Sequence, residues 1–229
     1  MFLALFVDDG LIVCESYAIL DSILNKLSES FEITLGDAST FVGLQIERDR
    51  IMKTMQIHQK AYVVQLIERF GMKDAIPVST PADPHVTLGL SEEKELEISN
   101  TPYREAVGSL MFLAVVSRPD VAFAVNVVSR FLNKYDRNHW NAVKRVFKYL
   151  LGTLELGIMY ESGGNDFVLE GYSDADFAGD VETRRSTTGY VFMLANGSVT
   201  WTSQRQKSVT LSTTEAEYVV AASAAKEAV

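Results

Sequence analysis

The sequence predicts a mixed α+β fold, and three observations carry that prediction. Near the start of the chain apolar and polar residues alternate, as in Val42, Leu44 and Ile46 against Gly43, Gln45 and Glu47, the period of a half-buried strand. Through the middle the apolar spacing changes to three and four residues, the period of helices packed on one face. From residue 157 strand-like runs return and are followed by one alanine-rich helix.

The chain opens with "MFLALFVDDGLIVCES". Asp9-Gly10 between the two apolar runs reads as a hairpin turn, with glycine supplying the positive φ of a primed turn. Asp8 has no part in such a turn, which leaves a second reading open: a hairpin platform that presents carboxylates to a divalent metal. Residues 17–31 carry Leu20, Ile23, Leu24, Leu27 and Phe31 at helical spacing. "FVGLQIER" and "IMKTMQIH" read as a strand pair, and "QKAYVVQLIERFGM" as a helix stopped by Gly71. Residues 73–100 combine Pro77, Pro81 and Pro84 with the acidic "SEEKELE" and read as a linker.

Three helices are expected next: 102–116, one beginning near Pro119 with Ser117 as N-cap, and 137–151 capped by Asp136. In the third, Trp140, Val143, Phe147, Leu150 and Leu151 form the apolar face, and Asn141, Lys144, Arg145 and Lys148 the other. That basic face is either plainly solvated or in contact with a phosphate backbone. The strands "LGIMYES", "FVLEGYSDADFA", "TTGYVFMLANGS", "VTWTSQ" and "SVTLS" follow, with turns expected at Gly163-Gly164 and Asn196-Gly197. Ser212 with Glu215 three residues on is a capping box opening the last helix. The organisation expected is therefore 1–72, a linker at 73–100, a helical segment at 101–156, and a second α+β segment at 157–229.

At 229 residues, 47% hydrophobic and 22% charged, the composition is that of a globular protein. No apolar run reaches the length of a membrane span, and Asp8 and Asp9 interrupt an amino-terminal stretch that lacks a basic leader, so an intracellular protein without a membrane partner is expected. Cys14, the single cysteine, reads as a buried strand thiol and excludes a cysteine-based zinc site. The net charge of −9 opposes simple attraction to nucleic acid. Residues 101–163, however, carry eight basic and five acidic side chains, so the middle is basic between acidic flanks. If nucleic acid is bound, the middle should touch phosphates and the flanks hold metal.

A second acidic cluster supports that division. Asp174 and Asp176 are two apart in an extended segment and leave the same face as Tyr172. Carboxylates on a buried strand are costly unless paired or bound to metal, so this is either a wet edge strand or a metal site. If Ser212 caps the last helix, Glu215 is spent on the cap and Glu217 is free. Asp174 and Glu217 could then converge on one hydrated magnesium, a hard cation suited to oxygen ligands and phosphodiester chemistry. The chain has no phosphate-binding loop and no Gly-rich dinucleotide fingerprint, and His58, His85 and His139 read as scattered surface residues.

Six stretches in order, "LFVDDGLIV", "FVGLQIERD", "YREAVGSLMFLAVVSRPDVAFAV", "HWNAVKRVFKYLLGT", "GYSDADFAGDVETRRSTTGYVF" and "VTWTSQRQKSVTLSTTEAEY", resemble the Pol polyprotein of copia-type retrotransposons over essentially the whole chain. The resemblance implies a partial reverse-transcriptase palm, a helical thumb and connection, and an incomplete ribonuclease H-like sheet with one helix. It implies Asp8 and Asp9 as palm ligands of Mg²⁺, with Phe6 where the family usually has tyrosine, and Asp174 and Glu217 as two ribonuclease H ligands. RNA template, DNA primer and RNA–DNA hybrid are the implied partners in the parent enzyme, which would work in the cytoplasm with nuclear entry of the element. Lys144, Arg145 and Lys148, with Arg205 and Lys207 of "RQK", are the nucleic-acid-binding candidates; Arg184 and Arg185 sit in an expected turn. The family's further ligands fall before the hairpin and beyond the first ribonuclease H helix, so this polypeptide by itself is expected to be inactive. The alternative is a non-catalytic remnant that binds nucleic acid through the basic helix.

Overall fold

The computed structural model of the chain describes residues 1–90, 101–163 and 168–229. Among these residues it is a mixed α+β structure with three small antiparallel sheets and six α-helices. The first sheet is the hairpin of β1 (Phe2–Phe6) and β2 (Asp9–Val13), with Phe6 opposite Asp9. The two-residue turn is therefore Val7-Asp8, with Val7 at φ 53°, and Asp9-Gly10 lies inside β2. The observed register sets Phe2 through Leu5 against Val13, Ile12, Leu11 and Gly10. A turn at Asp9-Gly10 would instead face Leu3 and Ala4 with Ser16 and Glu15, so cross-strand apolar pairing overrides the local turn preference.

Helix α1 (Tyr17–Ser30) starts where the Ser16 hydroxyl accepts from the Ala18 amide at 3.2 Å. Strands β3 (Thr40–Phe41) and β4 (Leu44–Asp49) turn through Val42-Gly43, both at positive φ, and β5 (Thr54–His58) pairs with β4. Helix α2 (Lys60–Arg69) ends at Gly71, φ 64°, as its sequence predicts. The core lies where α2 meets α3 (Tyr103–Val116), α4 (Ala122–Ser129) and α5 (Arg137–Gly152). Val63, Leu66, Val107, Leu110, Val143 and Phe147 fill it. The Tyr103 hydroxyl, fully buried, donates to the Val128 carbonyl at 2.8 Å. No helix of the described residues is long and apolar enough to cross a membrane.

Several expectations are corrected. Ser117 ends α3 rather than starting the next helix, and its buried hydroxyl donates to Gln59 Oε1 at 2.8 Å. A single 3-10 turn, Pro119–Val121, leads into α4. His139 is buried, because it is the third residue of α5 and its Nδ1 completes a capping box with Asp136 while its ring lies on Phe131. His58 is buried too, with Nε2 3.1 Å from Glu47 Oε1. Cys14 lies just past β2 and is partly exposed. "SVTLS" forms no strand, and Gly164 of the expected Gly-Gly turn lies outside the described residues.

Strand β6 (Ile158–Glu161) does not join the strands that follow it. It pairs with β5, Ile158 opposite Ile57, and completes a sheet of order β3-β4-β5-β6. The third sheet has the order β7-β8-β9, from β7 (Glu170–Asp176), β8 (Thr187–Leu194) and β9 (Gly197–Arg205). The β8–β9 turn is Ala195-Asn196, both at positive φ, one position before the expected Asn-Gly. Gly197 is needed for another reason: a Cβ there would sit 2.3 Å from the Tyr160 ring of β6. Helix α6 (Thr213–Glu227) packs on β7 and β8, while the Trp201 indole of β9 donates to the Ala114 carbonyl of α3 at 2.7 Å.

Candidate metal centre

Register fixes which side chains share the β7–β9 faces. Tyr172 stands opposite Val191, which stands opposite Trp201; Asp174 stands opposite Gly189 and Ser203 follows it across. Tyr172, Asp174 and Asp176 therefore face the side that Trp201 turns toward α3 and α4. A cavity of about 500 Å³ on that side is lined by Asp120, Phe123, Tyr172, Asp174, Asp176 and Trp201. Helix α6 covers the other side, where Gln206 Nε2 donates to the Ala216 carbonyl.

The start of α6 divides its two glutamates. The Ser212 hydroxyl accepts from the Glu215 amide at 3.1 Å, and Glu215 Oε2 accepts from the Leu211 amide at 2.7 Å, one residue further back than a capping box requires. Glu215 is thus spent at the helix start. Glu217 reaches β7 instead: its Oε1 accepts from the Ala175 amide at 3.3 Å, beside Asp174. Glu217 therefore meets the backbone of β7, while the Asp174 side chain lines the cavity on the α3 and α4 side of the sheet.

Asp8, at the tip of the first hairpin, and Asp9, the first residue of β2, are both exposed. Val7 beside them holds a left-handed φ that a β-branched residue rarely adopts. Among the described residues no group of three or more His, Cys, Asp or Glu side chains gathers that could hold a metal ion. The exposed oxygens of Asp8 and Asp9 at the hairpin, and of Asp174 and Glu217 on β7 and α6, are by donor type the kind a hydrated Mg²⁺ takes.

Asp180, which the sequence did not single out, is the most tightly bound carboxylate in the loop between β7 and β8. It is buried and accepts from Arg205 Nη1 at 2.8 Å, from Arg130 Nη1 at 3.2 Å, and from the Thr183 amide and hydroxyl, each at 2.8 Å. Burial alone would raise its pKa, but hydrogen bonds from Arg205 and Thr183 outweigh that and bring it down to about 2. The backbone at neighbouring Gly179 runs so close that a Cβ there would lie 1.9 Å from Asp176 Oδ2. Asp180 thereby ties the end of α4 and the end of β9 to the loop against which Asp176 rests.

The basic candidates separate into two groups. Lys144 and Lys148 on α5 and Lys207 after β9 have no ion-pair partner among the described residues. Arg205 is engaged by Asp180, and Arg145 donates to the Thr80 carbonyl, the Thr80 hydroxyl and Asp83 Oδ2. Arg184 is exposed at φ 54°. Nothing local to Asp180 announces partners that lie 50 and 25 residues away.

Three small antiparallel sheets and six helices among the described residues, opening on a hairpin that exposes two adjacent aspartates, are compatible with part of a reverse-transcriptase domain. Residues 1–84 match the family model "Reverse transcriptase (RNA-dependent DNA polymerase)". The chain is 43% identical over 231 aligned positions to the retrovirus-related Pol polyprotein from transposon TNT 1-94 of Nicotiana tabacum, covering 98% of this chain and 17% of that protein. It is 37% identical to the Pol polyprotein from transposon RE1 of Arabidopsis thaliana, covering 99% of this chain and 15% of that protein. A putative transposon Ty5-1 protein of Saccharomyces cerevisiae is 31% identical, with 99% of this chain and 73% of the yeast protein covered. No solved structure matches the chain. The chain belongs to the copia-type retrotransposon Pol polyprotein family and spans about a sixth of the length of the Pol polyproteins it matches.

Proposed function

We propose that the chain is the stretch of a Pol polyprotein running from a reverse-transcriptase palm and thumb (1–72) through a linker (73–100) and a helical connection (101–156) into a ribonuclease H-like segment (157–229). The observation that carries this proposal is the hydrogen bond from the Ala175 amide to Glu217, which sets a helix carboxylate beside the Asp174 strand. The parent protein would copy an RNA template from a DNA primer and hydrolyse the RNA of the RNA–DNA hybrid.

Asp8 and Asp9 would hold Mg²⁺ for the first reaction, and Asp174 and Glu217 for the second. Bound there, the ion would activate an attacking hydroxyl or water and neutralise phosphate charge. Ser212 fixes the start of α6, Glu215 satisfies the Leu211 amide, and Glu217 is left to face β7. Lys144, Arg145, Lys148, Arg205 and Lys207 would meet the phosphate backbone. A pair of carboxylates leaves most of the coordination shell to water, which gives weak binding and loose geometry. The 229-residue polypeptide alone is therefore expected to neither extend a primer nor cleave a hybrid at the rate of a complete polyprotein.

Two measurements test this. RNA-templated extension and hybrid cleavage with the isolated chain and magnesium should show no turnover at polyprotein-like rates. In a full-length Pol protein carrying this sequence, Asp174→Asn or Glu217→Gln should lower hybrid cleavage by roughly a hundredfold or more while leaving extension intact. Unchanged cleavage in both variants would remove these residues from the site.

A further inference from the structure

Residues 77–90 lie as a strap across α5. Pro77 packs on Gly152, where a Cβ would come within 3.0 Å of its own Cβ, and the Leu90 amide donates to Glu182 Oε1 at 2.7 Å in the loop after β7. Between these ends Thr80 and Asp83 meet Arg145. Beneath the strap is a cavity of about 810 Å³ whose walls include Val86 of the strap, Val127 of α4, and Asn141 and Lys148 of α5. Ala82 and Leu88 of the strap also pack against the helical core, while Val86, 53% exposed, leaves the cavity open between them.

The contact at Arg145 has a particular chemistry. Nε donates to the Thr80 carbonyl at 3.2 Å, Nη2 to the Thr80 hydroxyl at 2.9 Å, and Nη1 to Asp83 Oδ2 at 3.1 Å. Several oxygens, one of them anionic, arranged around one guanidinium are what a phosphate group also offers. The ion pair is weak for its kind, since both side chains are about a third exposed, 29% and 33%. Asp83 Oδ1 serves a separate purpose, accepting from the His85 amide at 3.1 Å within the strap's own turn.

We propose that the strap is an autoinhibitory cover on the basic face of α5: Thr80 and Asp83 occupy Arg145 in place of a nucleic-acid phosphate, and an RNA–DNA hybrid displaces them. This rests on the proposed role of Lys144, Arg145 and Lys148 in holding the hybrid. With the strap lifted, Arg145 joins Lys144 and Lys148, which lie one turn apart on the helix. The linker then sets how much positive charge the connection helix presents.

The test is fluorescence anisotropy of a labelled RNA–DNA hybrid titrated with the 229-residue chain, without divalent metal. Asp83→Asn keeps the Oδ1 acceptor of the strap turn and removes the charge on Arg145. It should bind about fivefold more tightly than the parent chain. Asp74→Asn makes the same change of net charge at an exposed linker position and should bind within about twofold of the parent chain. Asp83→Asn combined with Arg145→Ala should lose the gain, and circular dichroism should show equal helicity in all four proteins. The proposal is overturned if Asp83→Asn binds no tighter, if Asp74→Asn matches it, if the gain survives Arg145→Ala, or if none of the proteins binds the hybrid. Failure of the metal assignment at Asp174 and Glu217 would appear in the cleavage measurement and would leave these affinity ratios unchanged.

Discussion

Phe147→Ala is expected to destabilise the chain by about 3–5 kcal/mol. Phe147 has no exposed surface and stacks on Phe70 at the end of α2, ring centroids 5.0 Å apart and planes 29° from parallel. Val143 and Leu150, one turn away on either side in α5, are equally buried and hold the helix in place. The hole left by the ring would therefore persist rather than collapse, which puts the loss at the upper end for a core truncation. Thermal unfolding should shift down by roughly 10 °C or more for a chain of this size. Val115→Ala, at a position 73% exposed on α3, should stay within about 0.5 kcal/mol. Equal losses in the two variants would show that α2 and α5 do not form the core seam.

Asp180→Ala should cost a similar amount, about 3–5 kcal/mol, for an electrostatic reason. It leaves the Arg130 guanidinium, 12% exposed, without its counter-charge, and Thr183 without its acceptor. The acid limb of the stability curve reports the same interaction. The Asp180 carboxyl falls from an ordinary 3.8 to about 2 in the folded chain. A depressed carboxylate pKa stabilises the fold above the unfolded value and ceases to do so as pH falls through the folded one, here on the order of 2 kcal/mol lost between about pH 4 and 2. Asp180→Asn lacks that titration. The gap between parent and Asp180→Asn, measured by urea unfolding, should be full at pH 5 and shrink toward pH 2. A gap independent of pH would mean that the charge on Asp180 does not support the fold.

The helices were legible because their signals are local. Asp136, Ser212 and Gly71 mark ends that the structure reproduces, and Val143, Phe147 and Leu150 face the core as their spacing requires. Turns were less legible where two registers competed. Val7-Asp8 displaced Asp9-Gly10, and Ala195-Asn196 displaced Asn196-Gly197, because pairing along whole strands outweighs the preference of two residues. Of the candidate site, the separation of Glu215 from Glu217 was legible because a helix's cap reaches only a few residues. The engagement of Arg145 by Thr80 and Asp83, and of Arg205 by Asp180, has no such local signature. A basic residue on a surface face looks the same in sequence whether it is free or already matched. His139 escaped notice because histidine seldom fills the third position of a capping box, where glutamate or glutamine is usual.

The union of β5 with β6 reaches beyond architecture to the order in which the chain can assemble. Ile57 and Ile158 are separated by roughly a hundred residues, so joining them closes a long loop, and the entropy of closure is smaller once the intervening helices have shortened the path. The helical bundle should therefore consolidate first, with this edge zipping late. A polypeptide severed between 156 and 157 would strip β5 of its partners Ile158 and Tyr160 and leave it as an open edge beside β4, so any attempt to produce the two halves separately must keep 158–161 with the amino-terminal one.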